Sequence, residues 1–243
     1  MQMQTVYKRA PSLLDLKCLV KMWLRHRPAD VDCNCCGETV SLRMFGIPPR
    51  INAVCPSCGS LERHRLLKSY IDRNADHLDF NTVLHFAPER TVRRFLEGRA
   101  GTYVGCDLFP HGDLIKINIE KMDLPDNHAT FIVCSHVLEH VDDGAALGEL
   151  WRVLKPGGTA VLMFPIIEGW DRTFESDDVT TPADRQRYFG QFDHVRWYGR
   201  DARERIRAAG FQLEEYTAAE PDVSRIGLLR GEKIFLCRKP LPA

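Results

Sequence analysis

From Asp76 onward the chain alternates short apolar runs with amphipathic stretches, the pattern of a parallel sheet with crossover helices. The predicted strands are Thr82 to Phe86, Tyr103 to Asp107, Leu114 to Ile117, Phe131 to Ser135, Thr159 to Phe164, Phe211 to Tyr216 and Lys233 to Cys237. Only Pro221, Gly231 and a stretch without helical periodicity separate the last two, so they are predicted to pair as an antiparallel hairpin. Upstream, Leu61 to Ile71 carries apolar residues at helical spacing among Arg63, His64, Arg65 and Lys68 and predicts a helix leading into the main domain. Still earlier, Leu13, Leu14, Leu16, Leu19, Val20, Trp23 and Leu24 interleave with Lys17, Lys21, Arg25 and Arg27, which predicts a basic amphipathic helix. The organisation expected is that helix in 1–31, a small cysteine module and connecting helix in 32–76, and an α/β domain in 77–243 with an insertion at 166–198.

Composition narrows this little. With 243 residues, 44% of them hydrophobic, the chain is long enough for one large core plus an appendage. Lys plus Arg equals Asp plus Glu at 33 each, so the overall field does not call for nucleic acid or membrane as a partner. Residues 1–31 are locally basic, as a solvated cap or as an arm making weak contact with a membrane surface or polyanion. Met1 to Arg9 hold no signal-type apolar core, and no run approaches the roughly 20 apolar residues of a membrane span. A cytoplasmic location is expected, in which nine cysteines are reduced thiols or metal ligands.

Their spacing separates the two. Cys33-Asn34-Cys35-Cys36-Gly37 and Cys55-Pro56-Ser57-Cys58-Gly59 are two CxxCG knuckles, with eighteen residues between Cys36 and Cys55. In each such turn two sulfurs converge on one ion, and the glycine lets the chain reverse. Cys33, Cys36, Cys55 and Cys58 are therefore the expected zinc ligands, with Cys35 a bystander. A closed set of four thiolates leaves no open coordination position, so the zinc is structural.

Four segments in order resemble the class I (Rossmann-like) S-adenosylmethionine-dependent methyltransferases. They are Thr82-Val83-Leu84-His85-Phe86-Ala87-Pro88-Glu89-Arg90; Tyr103-Val104-Gly105-Cys106-Asp107; Asn118-Ile119-Glu120-Lys121-Met122-Asp123; and Phe131 to Val141 followed by Arg152-Val153-Leu154-Lys155-Pro156-Gly157-Gly158. With the CxxCG pair and the later His194 to Asp201 run, the chain is similar to bacterial zinc-ribbon, small-molecule methyltransferases. The resemblance implies a seven-stranded, mostly parallel sheet with an antiparallel last strand, and S-adenosylmethionine as methyl donor. It implies donor contacts from the first loop (His85, Ala87, Glu89), from Asp107 to the ribose hydroxyls, from Asn118 and the Ile119 amide to adenine, and from Ser135 and His136. Ala87, Glu89 and Thr91 stand where that family usually has glycines, and His85 where an acid is common. A dinucleotide pyrophosphate needs those glycines, which argues against NAD or FAD.

Methyl transfer from a sulfonium is an in-line displacement and calls mainly for alignment in a dry pocket. A hydroxyl acceptor adds a general base; His136 is the first candidate, with His140 and His194 in reserve. The aromatic and acidic stretch from Trp170 to Gln191 is expected to wall the acceptor, a small polar molecule such as a saccharide, or else to form a lid or homodimer contact. Two other readings stand beside this one. The first is a ribosomal-RNA methyltransferase that reads RNA through the ribbon with Arg43, Arg50, Arg63, His64, Arg65 and Lys68; the second is a non-catalytic binding protein of the same fold.

Overall fold

The computed structural model describes residues 17, 18, 20, 21, 30–46 and 49–242. The basic helix expected in 1–31 falls mostly outside them. Residues 17, 18, 20 and 21 are helical, while Asp30 and Val31 already belong to the first strand.

Two small antiparallel ribbons open the chain, β1 (Asp30–Asp32) with β2 (Thr39–Ser41) and β3 (Arg43–Phe45) with β4 (Arg50–Val54). Helix α1 (Glu62–Asn74) follows the second knuckle. It has no Ser or Asp cap; the His64 ring accepts the Leu61 N–H instead, at 3.1 Å, the place a capping-box glutamate would take. Then come β5 (Thr82–Phe86), α2 (Arg90–Glu97), β6 (Thr102–Asp107), β7 (Ile115–Lys116), β8 (Ala129–Ser135), α3 (Asp143–Val153) and β9 (Leu154–Met163). The insertion holds β10 (Phe174–Glu175), α4 (Pro182–Phe189) and β11 (Arg196–Trp197), and the chain closes with α5 (Ala202–Ala208), β12 (Gln212–Thr217), α6 (Asp222–Ile226) and β13 (Lys233–Arg238).

The expected seven-stranded sheet is present, in the order β7-β6-β5-β8-β9-β13-β12. The pairs among β5, β6, β7, β8 and β9 are parallel, whereas the last strand, β13, runs antiparallel to both β9 and β12. Period-two alternation splits the core between two faces. Ile132, Cys134, Ala160 and Leu162 face Leu147, Leu150 and Val153 of α3 and Ile206 of α5. Phe131, Val133, Val161 and Met163 face Leu66, Leu67, Tyr70 and Ile71 of α1 and Val92, Phe95 and Leu96 of α2. By its packing, α1 is a layer of the sandwich as well as the continuation of the cysteine module.

Two local expectations change. The hairpin of the last two strands does contain a helix, the five-residue α6, too short to leave a periodic signal. And Lys155-Pro156-Gly157-Gly158 is not a turn ahead of the strand but part of β9, which starts directly after α3. The register jumps from Ala129↔Leu154 to Phe131↔Thr159, so these residues bulge out of the ladder. The glycines make that possible: Gly157 has φ +79°, and a Cβ on Gly158 would stand 2.9 Å from both the Lys155 and Thr130 carbonyl oxygens. No helix among the described residues is long and apolar enough to cross a membrane.

Candidate functional site

The strand order reverses direction at β5 and β8, and in open α/β sheets ligands bind beyond the carboxyl ends of the strands at such a point. The register brings the implied donor residues to that edge. Phe86 pairs with Cys106 on one side and Cys134 on the other, so Ala87, Asp107 and Ser135 follow side by side. The Ala87 N–H continues the ladder to the Cys106 carbonyl at 2.8 Å, and the His136 N–H does the same to Met163 at 2.7 Å. Both residues then leave their strands in left-handed backbone, φ +46° at Ala87 and +56° at His136. Non-glycine residues held there carry strain that clusters at working sites.

Asp107 is half-buried; its Oδ1 accepts the Phe109 N–H at 2.8 Å and its Oδ2 has no partner among the described residues. The Ser135 hydroxyl is buried with no hydrogen-bond partner among the described residues. After β7, Ile117 donates to the Asp107 carbonyl at 3.1 Å, which carries Asn118 and Ile119 to the same edge. Asn118 is exposed with its Oδ1 on the Glu120 N–H, and Ile119 is buried.

His85 and Glu89 sit differently. His85 is wholly enclosed, its Nδ1 2.9 Å from the Tyr103 hydroxyl, and burial pushes its pKa down to about 3, so the ring is neutral. Glu89 turns toward α1. Its Oε1 accepts from Arg63 Nε at 3.1 Å and from Arg63 Nη2, and stands 2.9 Å from His64 Nε2. Burial raises this carboxyl, but His64 and Arg63 together overcome that and hold its pKa at about 2. Thr91 adds a bond to the Cys58 carbonyl at 3.2 Å, so the knuckle, α1 and the first loop are one unit.

Beside His136 opens a cavity of about 420 Å³ whose lining includes Arg50, Arg63, Pro165, Glu232 and Lys233. The sequence reading placed the acceptor wall in the 166–198 insertion; of that stretch only Ile166 lines this cavity, and the walls come instead from the module and the segment before β13. Glu232 and Lys233 carry no signal in the sequence, and Arg50 and Arg63 stand out there only as basic residues of the RNA reading, because nothing in local spacing brings residues near 50, 63 and 232 together. Desolvation, reinforced by Glu62, raises Glu232 to about 7, against the pull of His136, Arg63 and Arg50. The three histidines do gather: His136 Nδ1 is 3.1 Å from Glu139 Oε1, the rings of His140 and His194 meet edge to face at 4.7 Å, and His140 Nδ1 is 3.4 Å from Asp193.

The knuckles close on each other. Cys33 Sγ is 3.7 Å from Cys58 Sγ and Cys36 Sγ 3.9 Å from Cys55 Sγ, and all four sulfurs lie within 4.8 Å. Sulfurs at about 2.3 Å from a tetrahedral zinc stand roughly 3.8 Å apart, so the donor set fits that ion. Gly37 and Gly59, at φ +80° and +75°, return N–H groups to the Cys33 and Cys55 carbonyls at 2.7 and 2.9 Å.

A family model described as a methyltransferase domain matches residues 94–162, under a third of the chain. No curated protein matches in sequence. Among solved structures the [4+2]-cyclase SpnF superposes with a TM-score of 0.52 at 15% identity, covering 72% of this chain and 82% of its own. A candidate sarcosine dimethylglycine methyltransferase from Galdieria sulphuraria does so with a TM-score of 0.51 at 14% identity, covering 75% and 87%. At such identity the likeness shows the fold alone.

Proposed function

We propose that this chain, which has the class I methyltransferase fold and a matched methyltransferase domain, transfers a methyl group from S-adenosylmethionine to a hydroxyl of a small polar acceptor, a saccharide or related metabolite. The observation that carries the reading is the convergence at one sheet edge of a carboxylate with a free oxygen (Asp107), an unpartnered buried hydroxyl (Ser135) and a cavity-lining histidine (His136). Asp107 would hold the ribose hydroxyls, Ser135 the donor's polar tail, and Asn118 with the Ile119 amide the adenine. Unlike a pyrophosphate, this donor needs no glycine-rich cradle, so Ala87 suffices.

In the reaction the acceptor oxygen attacks the sulfonium methyl carbon in line, the S–CH₃ bond breaks with its electrons going to sulfur, and the acceptor proton leaves to a base. His136 would be that base: Glu139, 3.1 Å from Nδ1, orients the ring and would leave Nε2 for the acceptor. The cavity, walled by guanidinium, ammonium and carboxylate groups, suits a hydroxylated acceptor. RNA suits the module poorly, because its basic residues other than the exposed Arg43 are engaged within the chain. Arg50 forks onto Glu62 at 3.0 and 3.2 Å, Arg63 and His64 hold Glu89, Lys68 is 2.6 Å from Asp72, and Arg65 is buried. The four cysteines hold a zinc that braces this wall and takes no part in the chemistry.

Calorimetry with S-adenosylhomocysteine tests the donor site. Micromolar binding is expected, weakened roughly 10- to 100-fold in Asp107→Ala, the loss of hydrogen bonds worth about 1.5–3 kcal/mol. Unchanged binding in that variant refutes the assignment, and His136→Ala with full turnover on a methylated sugar refutes the base.

A further inference from the structure

Two buried side chains at one place, Glu139 and His194, are left without partners that their burial demands, and a half-buried histidine, His140, stands against them. Glu139 is 1% exposed and its Oε2 has no partner among the described residues, although its Oε1 is taken by His136. His194 is 2% exposed, and among the described residues neither its Nδ1 nor its Nε2 meets a partner at full hydrogen-bond geometry. His140 stands edge-on to His194, and one ligand atom from each of Glu139, His140 and His194 lies within 4.8 Å of the others. Buried carboxylate oxygens and imidazole nitrogens left unpaired are costly, and so many at one point call for a shared partner.

We propose that Glu139, His140 and His194 bind a divalent first-row transition ion, a second metal site separate from the four cysteines. Two imidazoles and one carboxylate are a donor set of borderline hardness that zinc, manganese or iron(II) accept, with coordination positions left open. Ligand atoms at about 2.1 Å from one ion stand roughly 3.0–4.2 Å apart, so closing the present spacing takes shifts of no more than about an ångström. The surroundings orient the set as outer partners of metal ligands do. Asp193 lies 3.4 Å from His140 Nδ1, and the Glu139 carbonyl accepts the Val195 N–H at 2.9 Å, tying the segment ahead of β11 that carries His194 to the turn that carries Glu139. The elements also explain why the insertion folds back. Arg196 of β11 donates to the Leu138 carbonyl at 2.8 Å and to that of Val141, holding the segment with His194 over residues 138–141. Glu139 then joins two sites: Oε2 faces the ion and Oε1 holds His136 at the cavity.

The site is read by binding, not by turnover, so it stands or falls apart from the methyl-transfer reading. Mn²⁺, which four thiolates bind poorly, is titrated into the purified full-length chain and followed by the loss of its free electron paramagnetic resonance signal. One site per chain is expected in the wild type, weakened at least 10-fold in His194→Gln and in His140→Gln, and unchanged in Arg203→Ala, which lies outside both sites. Zinc content after zinc exposure and dialysis gives a second readout, with two equivalents in the wild type and one in each histidine variant. Circular dichroism establishes that the glutamine variants are folded. Wild type and both histidine variants binding Mn²⁺ alike, with equal zinc content, would overturn the proposal.

Discussion

Arg65 is fully buried and has no carboxylate partner among the described residues, which makes it the sharpest test of how the cysteine module is joined to the sheet domain. Its guanidinium donates to three carbonyl oxygens, Ser60 at 2.8 Å, Ala53 at 3.0 Å and Gly227 at 2.6 Å. The first two belong to the module, and the third lies just before β13, 162 positions along the chain. Each charge-assisted bond is worth about 1.5–3 kcal/mol, offset by the cost of keeping a cation out of water. Arg65→Met removes both the bonds and the buried charge. The Ser60 carbonyl stays satisfied by the Cys55 N–H at 2.9 Å, which leaves the Gly227 and Ala53 carbonyls as the groups at risk. The net loss should be roughly 2–4 kcal/mol, a fall in Tm of about 4–16 °C for a chain this size. Arg65→Lys, with one short ammonium that cannot span both sides, should lose about half as much. Scanning calorimetry measures the shift, and limited proteolysis should cut first within residues 30–60. A Tm within 2 °C of wild type in Arg65→Met, with no new cleavage there, would show that the bonds to Ala53 and Gly227 do not hold the module.

Glu89 has its folded pKa depressed to about 2, so its contribution is present above its ordinary value near 4.5 and lost as pH falls toward 2. In urea denaturation Glu89→Gln should cost about 2–3 kcal/mol at pH 7 and nearly nothing at pH 2; equal cost at both refutes the ion-pair account. Glu232 behaves oppositely: its folded pKa of about 7 means the native state holds a proton the unfolded chain has released, so stability falls as pH rises from about 4.5 through 7. Glu232→Gln should therefore be the more stable protein at pH 8, by on the order of 1–2 kcal/mol after solvent screening, and level with wild type near pH 4.5. Gly158→Ala drives a methyl against two backbone oxygens of the β8–β9 bulge and should lower stability by about 1–3 kcal/mol in thermal melts, whereas a neutral result would mean the bulge can open.

Features set by local pattern were legible in the sequence, and features set by distant approach were not. The strands show as apolar runs bounded by turn residues, and Thr82–Phe86 is reproduced residue for residue. The knuckles show because metal-ligand spacing is itself local. β9 was read as starting at Thr159 because Pro156 and two glycines look like punctuation; the ladder tolerates them as a bulge that no propensity encodes. His85 looked like a residue facing the donor because of its place in a motif, yet burial between α1, α2 and Tyr103 decides its state. The cavity residues Arg50 and Glu232 come together only once α1 docks on the sheet.

That docking bears on the chemistry. The second knuckle passes through Leu61 straight into α1, and α1 sends Arg63 and His64 to the first loop while its opposite side packs under the sheet. A metal clamp at Cys33, Cys36, Cys55 and Cys58 would therefore fix the start of α1, while α1 holds Glu89, and Glu89 stands where the loop in which Ala87 is held at positive φ passes into α2. The same helix carries Glu62, which keeps Arg50 at the cavity wall. An appendage needed only for stability could have packed anywhere on the sandwich. Here its helix and its arginines lie in series between the cysteines and the strand edge where donor and acceptor would meet, so loss of an ion held by those thiolates should reach the donor loop before it reaches the core.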